Sequence, residues 1–173
     1  MSSLFRRVGA ALLVSVAIVV PAIGSQAASG DAHFIKHDTS DALSGANLTA
    51  TFKEAGLAAG STETLTLQAT EAVTYECVNG GGQNPSASNK HTFSTTSSTS
   101  GQFTADRNGN INGSLTLQPA SASSLGFSCP PGQTTTFVSV SYSNVSLTDA
   151  TTGDAISFPG TLSFTNPSAP PVR

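Results

Sequence analysis

The feature that most constrains the fold of this chain is a long alternation of apolar and polar residues. From Leu65 to Cys77 every second side chain is apolar, with Glu71 as the exception, and half of the residues between them are threonine. A period of two indicates a β-strand with one face against a core, because successive side chains of a strand point to opposite sides. The positions predicted to share the buried face are Leu65, Leu67, Ala69, Val73, Tyr75 and Cys77.

Glu71 falls on this predicted buried face. A carboxylate that is buried without a partner is costly, so we expect a bulge or bend near Glu71 that turns the side chain away from the core. Such a bend would also suit a strand that passes between two sheets.

Shorter alternations of the same kind predict the other strands. The Ser/Thr run at residues 94–100 has no apolar side chain and predicts an exposed edge strand or a crossing between sheets. Asn108-Gly109 predicts a hairpin turn into a return strand, in which Gly113 marks a bulge or a point of close approach. The predicted strands lie at residues 47–53, 62–77, 91–105, 111–117 and 134–147, and residues 156–164 are predicted to form a last strand pair with Pro159-Gly160 as a kink or edge marker.

The strand at residues 134–147 changes the parity of its apolar residues part of the way along. Val140 and Tyr142 lie on one face, whereas Val145 lies on the other. A one-residue bulge near Ser143-Asn144 would bring both groups to the same core, and we therefore predict one there.

Seven or eight short strands separated by turn residues, with no amphipathic helix pattern, predict an all-β fold. We expect a single antiparallel β-sandwich over residues 45–165, with an immunoglobulin-like Greek key as the first choice of topology, on architectural analogy alone. Residues 28–44 are predicted to form a flexible N-terminal arm. Residues 166–173 contain three prolines and are predicted to be a disordered tail.

The first 27 residues have the pattern of a signal peptide. Arg6 and Arg7 form a charged start, residues 8–20 are an apolar run, and small residues precede a cleavage point after Ala27. No later segment is long and apolar enough to cross a bilayer. We therefore expect a secreted, extracellular protein, with association to the cell wall left open.

The charge of the chain excludes some classes of partner. The whole sequence has a formal charge of −3, and removal of Arg6 and Arg7 with the signal peptide leaves −5 on the remaining 146 residues. A mildly acidic domain without a basic patch does not suit nucleic acid or anionic lipid. The partners left are an extracellular protein or a cell-wall polymer, and nothing in the sequence requires a cofactor.

The chain has two cysteines, Cys77 and Cys129, separated by 51 residues. In an oxidising compartment such a pair predicts a disulfide. The alternatives are free or redox-active thiols and a metal site, but the pair is not a Cys-x-x-Cys motif and lacks the clustered ligands of structural zinc. The disulfide would tether two loops, 79–90 and 118–133, which are the candidate binding loops. Their candidate binding residues are Asn79, Gly80, Gly81, Gly82, Asn84, Pro130, Pro131 and Gly132.

No arrangement of residues predicts a catalytic site. The chain has no Gly-x-Ser-x-Gly motif, and His91 is interpreted as a residue of a strand face. Glu71 and Glu76 fall on opposite faces of one strand and cannot act as a pair. Asp149 and Asp154 flank a predicted turn and are interpreted as turn-forming residues, with a weak cation site as the alternative.

The N-terminal arm offers one alternative metal site. If cleavage followed Gly30, the mature chain would begin Asp31-Ala32-His33. A terminal amine, two backbone amides and an imidazole at the third position form the square-planar nitrogen set that Cu(II) and Ni(II) prefer. This hypothesis depends on the cleavage point, because a start at Ala28 removes the site.

Four segments of the chain resemble a group of small secreted proteins of Gram-positive actinobacteria. The resemblance implies export and the pairing of Cys77 with Cys129, and it brings no catalytic residue. The segments are FKEAGL (52–57), CVNGGG (77–82), SCPPG (128–132) and SVSYSNV (139–145).

Two classes of function fit these observations. The first is a non-catalytic extracellular binding module that acts through its disulfide-tethered loops, since loops on a rigid sandwich commonly carry function. The second is a small secreted enzyme inhibitor or hydrolase. The chain has no tryptophan and two tyrosines, which argues against a sugar-binding version of the first class.

Overall fold

The structure is a computed structural model that describes residues 31–81 and 89–170. These residues form eight β-strands and one short 3-10 turn at Lys36–Asp38. The strands are β1 (His33–Phe34), β2 (Ser40–Ser44), β3 (Asn47–Ala55), β4 (Thr62–Asn79), β5 (Lys90–Thr104), β6 (Ile111–Leu117), β7 (Gln133–Asp149) and β8 (Ala155–Thr165).

The strands form two antiparallel sheets that pack face to face, as the sequence predicts. In sheet 1, β3 pairs with β6 on one side and with β1 and β2 on the other. In sheet 2 the order is β5-β4-β7-β8, so that β5 and β8 are edge strands. The Ser/Thr run 94–100 lies within β5, which confirms the predicted edge strand.

The core lies between the inner faces of the two sheets. Phe52 of β3 and Phe103 of β5 meet across it with their ring centres 5.1 Å apart. A Cβ atom at Gly113 would lie 2.7 Å from the Phe103 ring and 2.9 Å from the Phe52 ring, which confirms a point of close approach there. Fully buried apolar residues include Leu48, Leu65, Leu67, Val73, Val140, Tyr142, Val145 and Leu147.

Sheet 2 is longer than sheet 1. Its central strands β4 and β7 have 18 and 17 residues, whereas β3, the longest strand of sheet 1, has 9. The loop 118–132 covers the inner face of β4 beyond the end of sheet 1, where the Tyr75 hydroxyl donates a hydrogen bond to the Ala120 carbonyl at 2.8 Å. This overhanging end carries the two cysteines.

Glu71 lies on the inner face of β4 and is completely buried, so the expectation that its side chain turns away from the core is wrong. The pairing of β4 with β7 shifts nearby, between Gln68 and Thr70, but Glu71 itself stays in register, opposite Thr95 of β5 and Tyr142 of β7. The burial is tolerated because Oε1 accepts a hydrogen bond from the Ala120 amide at 2.8 Å, and Oε2 accepts one from the Ser97 hydroxyl at 2.6 Å. The sequence pattern of β4 does not indicate this burial, because the Ala120 amide belongs to a distant loop.

The Asn108-Gly109 turn forms, but it joins the two sheets, and the predicted hairpin is wrong. β5 belongs to sheet 2, whereas β6 pairs with β3 in sheet 1. Gly109 has φ 73° and its carbonyl accepts a hydrogen bond from the Leu57 amide at 3.1 Å. The turn is thus packed against the β3–β4 connection. The Asn-Gly pattern predicts a turn from neighbouring residues alone and contains no information about this distant segment.

The predicted bulge in β7 is confirmed. The pairing with both neighbouring strands shifts between Ser143 and the residues that follow. Asn144 has φ 51°, a left-handed conformation that Asn tolerates better than most residues. Val140 and Val145 therefore reach the same core although their sequence parity differs.

Much of the predicted flexible arm is regular structure. Residues 33–34 and 40–44 form β1 and β2 along one edge of β3, and Phe34 is buried. The predicted tail also begins in an ordered way, because Asn166 donates its backbone amide to the Val138 carbonyl and its side-chain amide to the Phe137 carbonyl, each at 2.8 Å. Short polar segments thus gain backbone partners that sequence patterns do not indicate.

Candidate functional site

The predicted disulfide between Cys77 and Cys129 is present. The S–S distance is 2.01 Å and the Cα atoms lie 5.5 Å apart. Cys77 is near the end of β4, and Cys129 lies in the loop 118–132. The bond therefore anchors the far end of this loop to sheet 2.

The disulfide brings the described parts of the two predicted binding loops to one end of the sandwich. Asn79, the last residue of β4, pairs in register with Gln133, the first residue of β7. Gly80 and Gly81 follow Asn79 and are exposed, and the Asn79 side chain accepts a hydrogen bond from the Gly81 amide at 3.2 Å. The candidate residues Gly82 and Asn84 lie outside the described residues.

The second loop presents the exposed residues Pro130, Pro131 and Gly132 beside the disulfide. The Pro130 carbonyl accepts a hydrogen bond from the Gln133 amide at 3.1 Å, which closes a turn directly before β7. Cys129 is held by the disulfide, and the rings of Pro130 and Pro131 restrict their φ angles. The tip of this loop is therefore stiff, and it lies next to Asn79 and Gly80.

Six aromatic rings gather at the same end and form what we call the aromatic cluster. Phe127 of the loop stacks on Tyr75 of β4 at 6.2 Å between ring centres, and Tyr75 also meets Phe137 of β7 at 5.8 Å. Phe127 lies 5.4 Å from His91 and 5.8 Å from Phe93. The members of the cluster are Tyr75, His91, Phe93, Phe127, Phe137 and Phe164.

The cluster is only partly covered by the rest of the fold. Tyr75 is buried, the four phenylalanines are half-buried and His91 is exposed. The register explains the arrangement, because His91 and Phe137 both lie opposite Tyr75 on its two neighbouring strands. The alternation of the sequence predicts that His91 and Phe93 share one face of β5. Their contact with Phe127 could not be predicted, because it depends on how the loop 118–132 folds back over sheet 2.

The opposite end of β4, roughly 45 Å away at about 3.3 Å per residue, carries a second unusual group of residues. Glu54 and Asp149 are completely buried, and Glu63 is 3 % exposed. With Asp154 they form what we call the acid cluster, contributed by β3, β4, β7 and the turn between β7 and β8. No sequence pattern connected these four residues.

Three of the four acids have hydrogen-bond donors. The Asp149 carboxylate accepts bonds from the Thr151 amide at 2.8 Å and from the Thr152 hydroxyl at 2.9 Å, which confirms its predicted role in the turn. Asp154 accepts a bond from the Phe34 amide at 2.7 Å, and Glu63 accepts one from the Ser61 hydroxyl.

Glu54 differs from the others, because neither of its buried oxygens meets a donor among the described residues. Burial raises the pKa of Glu54 to about 8, and the adjacent Asp149, Asp154 and Glu63 carboxylates add to this effect. Glu54 is therefore protonated at neutral pH, with the Asp149 carboxylate nearby.

The centre of the acid cluster is closed off from solvent. Glu54 and Asp149 have no exposed surface. Within residues 31–81 and 89–170, no three His, Cys, Asp or Glu side chains are arranged to hold a metal ion.

The candidate copper-binding residues lie beside this cluster. Asp31 and His33 are exposed, and Nδ1 of His33 lies 2.6 Å from the Asp31 carbonyl oxygen. The backbone of His33 pairs with Ala55 in β1. The nitrogen set that includes Ala32 requires a free amine on Asp31 and stays a prediction, since the preceding residues lie outside those described.

Comparison with known proteins does not assign this chain to a family. No protein-family model matches it, and no curated protein has significant similarity to it. Among the described residues, no helix has the length and apolar character needed to cross a membrane.

Proposed function

We propose that this protein is a secreted, non-catalytic binding module that holds an extracellular protein at its disulfide-bonded end. The observation that carries the proposal is the aromatic cluster, whose phenylalanines are only half-buried on an overhanging sheet face. Partly exposed aromatic rings next to a rigid loop are the usual anchors of protein interfaces.

The chemistry of this end favours a protein partner over a sugar. Phe127 and Phe93 offer ring surface without a hydrogen-bonding group, whereas sugar sites combine ring faces with several polar side chains. The mature chain is acidic, which does not favour nucleic acid or an anionic lipid surface.

The disulfide supports binding by limiting the motion of the loop before a partner arrives. Cys129 is fixed to β4 two residues after Phe127, and Ala120 is held near the loop's start by its hydrogen bond to Glu71. A loop that is ordered in advance loses less conformational entropy when it binds.

Secretion is part of this proposal. The signal-peptide pattern of residues 1–27 and the resemblance to small exported actinobacterial proteins support it, and a disulfide is typical of an oxidising compartment. The immunoglobulin-like topology stays a prediction.

The proposal can be tested with fluorescently labelled protein and intact cells of the organism that produces it. We expect surface binding that is lost when the cells are treated with protease, and that falls at least tenfold in Phe127→Ala. Thr92→Ala, which changes an exposed residue on the outer face of β5, is the matched control and should bind as the wild type does. Binding that survives protease treatment, or that Phe127→Ala leaves unchanged, would contradict a protein partner at this end.

A protease inhibitor is a second candidate, favoured by the exposed and tethered tip Pro130-Pro131-Gly132. An inhibitor must present a stiff loop to the protease cleft, and this tip has that property. Residual activity of secreted serine and cysteine proteases with excess protein would identify such an activity, and insertion of two glycines after Pro131 should abolish it.

A further inference from the structure

The first described residues of the chain, 31–35, lie across the acid cluster and are called the strap here. Phe34 is buried, its ring meets Phe52 edge to face at 6.4 Å, and its amide donates to Asp154 at 2.7 Å. The Ile35 amide donates to the Lys53 carbonyl at 2.8 Å. The strap is thus held by two hydrogen bonds that backbone amides donate outside its short ladder, one to a carboxylate and one to a backbone carbonyl, and by one buried ring.

The strap is the cover of the acid cluster. Phe34 lies directly opposite Glu54 in the pairing of β1 with β3, and residues opposite each other in an antiparallel pair point to the same face. The side chains of Phe34 and Glu54 therefore point to the same face of sheet 1, and both are buried there. The strap closes tightly at Gly56, where a Cβ atom would lie 2.1 Å from the Asp31 carbonyl oxygen.

The ionisable groups that face Glu54 are all acidic. Glu63 faces it from β4, Asp149 from β7 and Asp154 from the turn before β8. Its neighbour on β6 is Ile111, which does not titrate. The nearby bases point elsewhere: Lys53 pairs with Asp38 at 3.6 Å, and His33 of β1 is exposed opposite Ala55.

We propose that the strap is a pH-sensitive closure: the neutral carboxyl group of Glu54, buried on the same face as Phe34, keeps residues 31–35 in place, and loss of its proton to solvent releases them. A second negative charge beneath Phe34 would have neither a hydrogen-bond donor nor a cation to stabilise it. Opening of the strap admits water to Glu54 and relieves this cost. The release also frees the edge of β3 at residues 54–55 for pairing with another strand.

The inference is independent of the proposed binding function, because the strap and the aromatic cluster lie at opposite ends of β4. Its pH range follows from the folded pKa of Glu54, which is about 8, and its ordinary value of 4.5. Opening should become more frequent as the pH rises through this interval and should level off above it.

Hydrogen exchange of single amides by NMR tests the closure in the full mature chain. The protection factors of the Phe34 and Ile35 amides should fall about tenfold per pH unit between pH 6 and 8, since each opening releases one proton. At every pH they should stay well below that of Val140, a core amide that reports global unfolding. Equal protection of Phe34 and Val140 would show that the strap does not open locally and would overturn the proposal.

Glu54→Gln keeps the size of the side chain and removes its titration. In this variant the protection of Phe34 and Ile35 should no longer depend on pH, whereas Asp38→Asn, a matched change of an exposed acid, should behave as the wild type does. A second measurement needs no variant: the carboxyl carbon of Glu54 should titrate near pH 8. A midpoint between 4 and 5, or an unchanged pH dependence in Glu54→Gln, would refute the closure.

Discussion

Glu71 shows how one polar residue can organise a loop from inside a core. Its two oxygens accept hydrogen bonds from the Ala120 amide and the Ser97 hydroxyl, so that it joins the loop 118–132 to both β4 and β5. Tyr75 adds a third connection through the Ala120 carbonyl. The loop that carries Phe127 is therefore positioned by a carboxyl group as well as by the disulfide.

We expect Glu71→Ala to lower the free energy of unfolding by about 2–3 kcal/mol, because a buried amide and a hydroxyl lose their acceptor and a cavity remains. Glu71→Gln keeps one acceptor oxygen and should cost about 1 kcal/mol. Urea denaturation measures both, with the exposed Thr96→Ala as a control that should change stability by less than about 0.5 kcal/mol. A loss in Glu71→Ala no larger than that of the control would contradict this role.

Gly113 is required by packing rather than by backbone conformation. A methyl group there would fall within 3.0 Å of ring atoms of both Phe52 and Phe103. We expect Gly113→Ala to destabilise the fold by about 1–3 kcal/mol through overpacking. Gly80→Ala is a matched control, since its Cβ would have no neighbour within 4 Å. Thermal unfolding of the two variants compares them, and equal melting temperatures would disprove the close approach.

At the scale of the elements, the disulfide and the loop 118–132 act together to cover the overhanging half of sheet 2. The bond joins residues 52 positions apart. Chain-entropy arguments give such a cross-link a stabilisation of about 4 kcal/mol, and measured values are often lower. The hydrogen bonds of Ala120 hold the start of the loop independently of the bond.

The double variant Cys77→Ala/Cys129→Ala should therefore lose about 2–4 kcal/mol of stability and keep the sandwich fold. Denaturation of the wild type with and without reductant gives the same comparison without mutation. Far-ultraviolet circular dichroism checks that the strands remain. If reduction left the denaturation midpoint unchanged, the tether would contribute nothing to the folded state.

At the scale of the whole molecule, the acid cluster makes global stability depend on pH. Burial raises the pKa of Glu54 to about 8, and unfolding would return it to about 4.5. Between these values the folded state binds one more proton than the unfolded state, so its stability is greatest below the lower value and falls as the pH rises toward the upper one. The slope for one proton is about 1.4 kcal/mol per pH unit.

We therefore expect the midpoint of urea denaturation to decrease steadily from pH 5 to pH 8. In Glu54→Gln this decrease should vanish. Asp106 acts in the opposite sense, because backbone amides lower its pKa, and the stability that it contributes is lost only as the pH falls below its ordinary range. A wild-type midpoint that rises between pH 5 and 8 would contradict the protonated state of Glu54.

The local features of this protein could be predicted from its sequence. The alternation in β4, the bulge at Asn144, the edge character of β5 and the disulfide all followed from it. These features depend on φ/ψ preference and on which side of a strand a residue lies, and both are fixed by close neighbours in the chain.

Contacts between distant segments could not be predicted in this way and became apparent in the folded structure. It supplied the loop amide that makes a buried Glu71 tolerable, it sent β6 to the sheet opposite β5, and it gathered Phe127 against His91. It also brought Glu54 beneath Phe34 and beside Asp149. Such meetings depend on the packing free energy of the whole sandwich, which is a sum over many contacts between remote residues and has no counterpart in a local pattern.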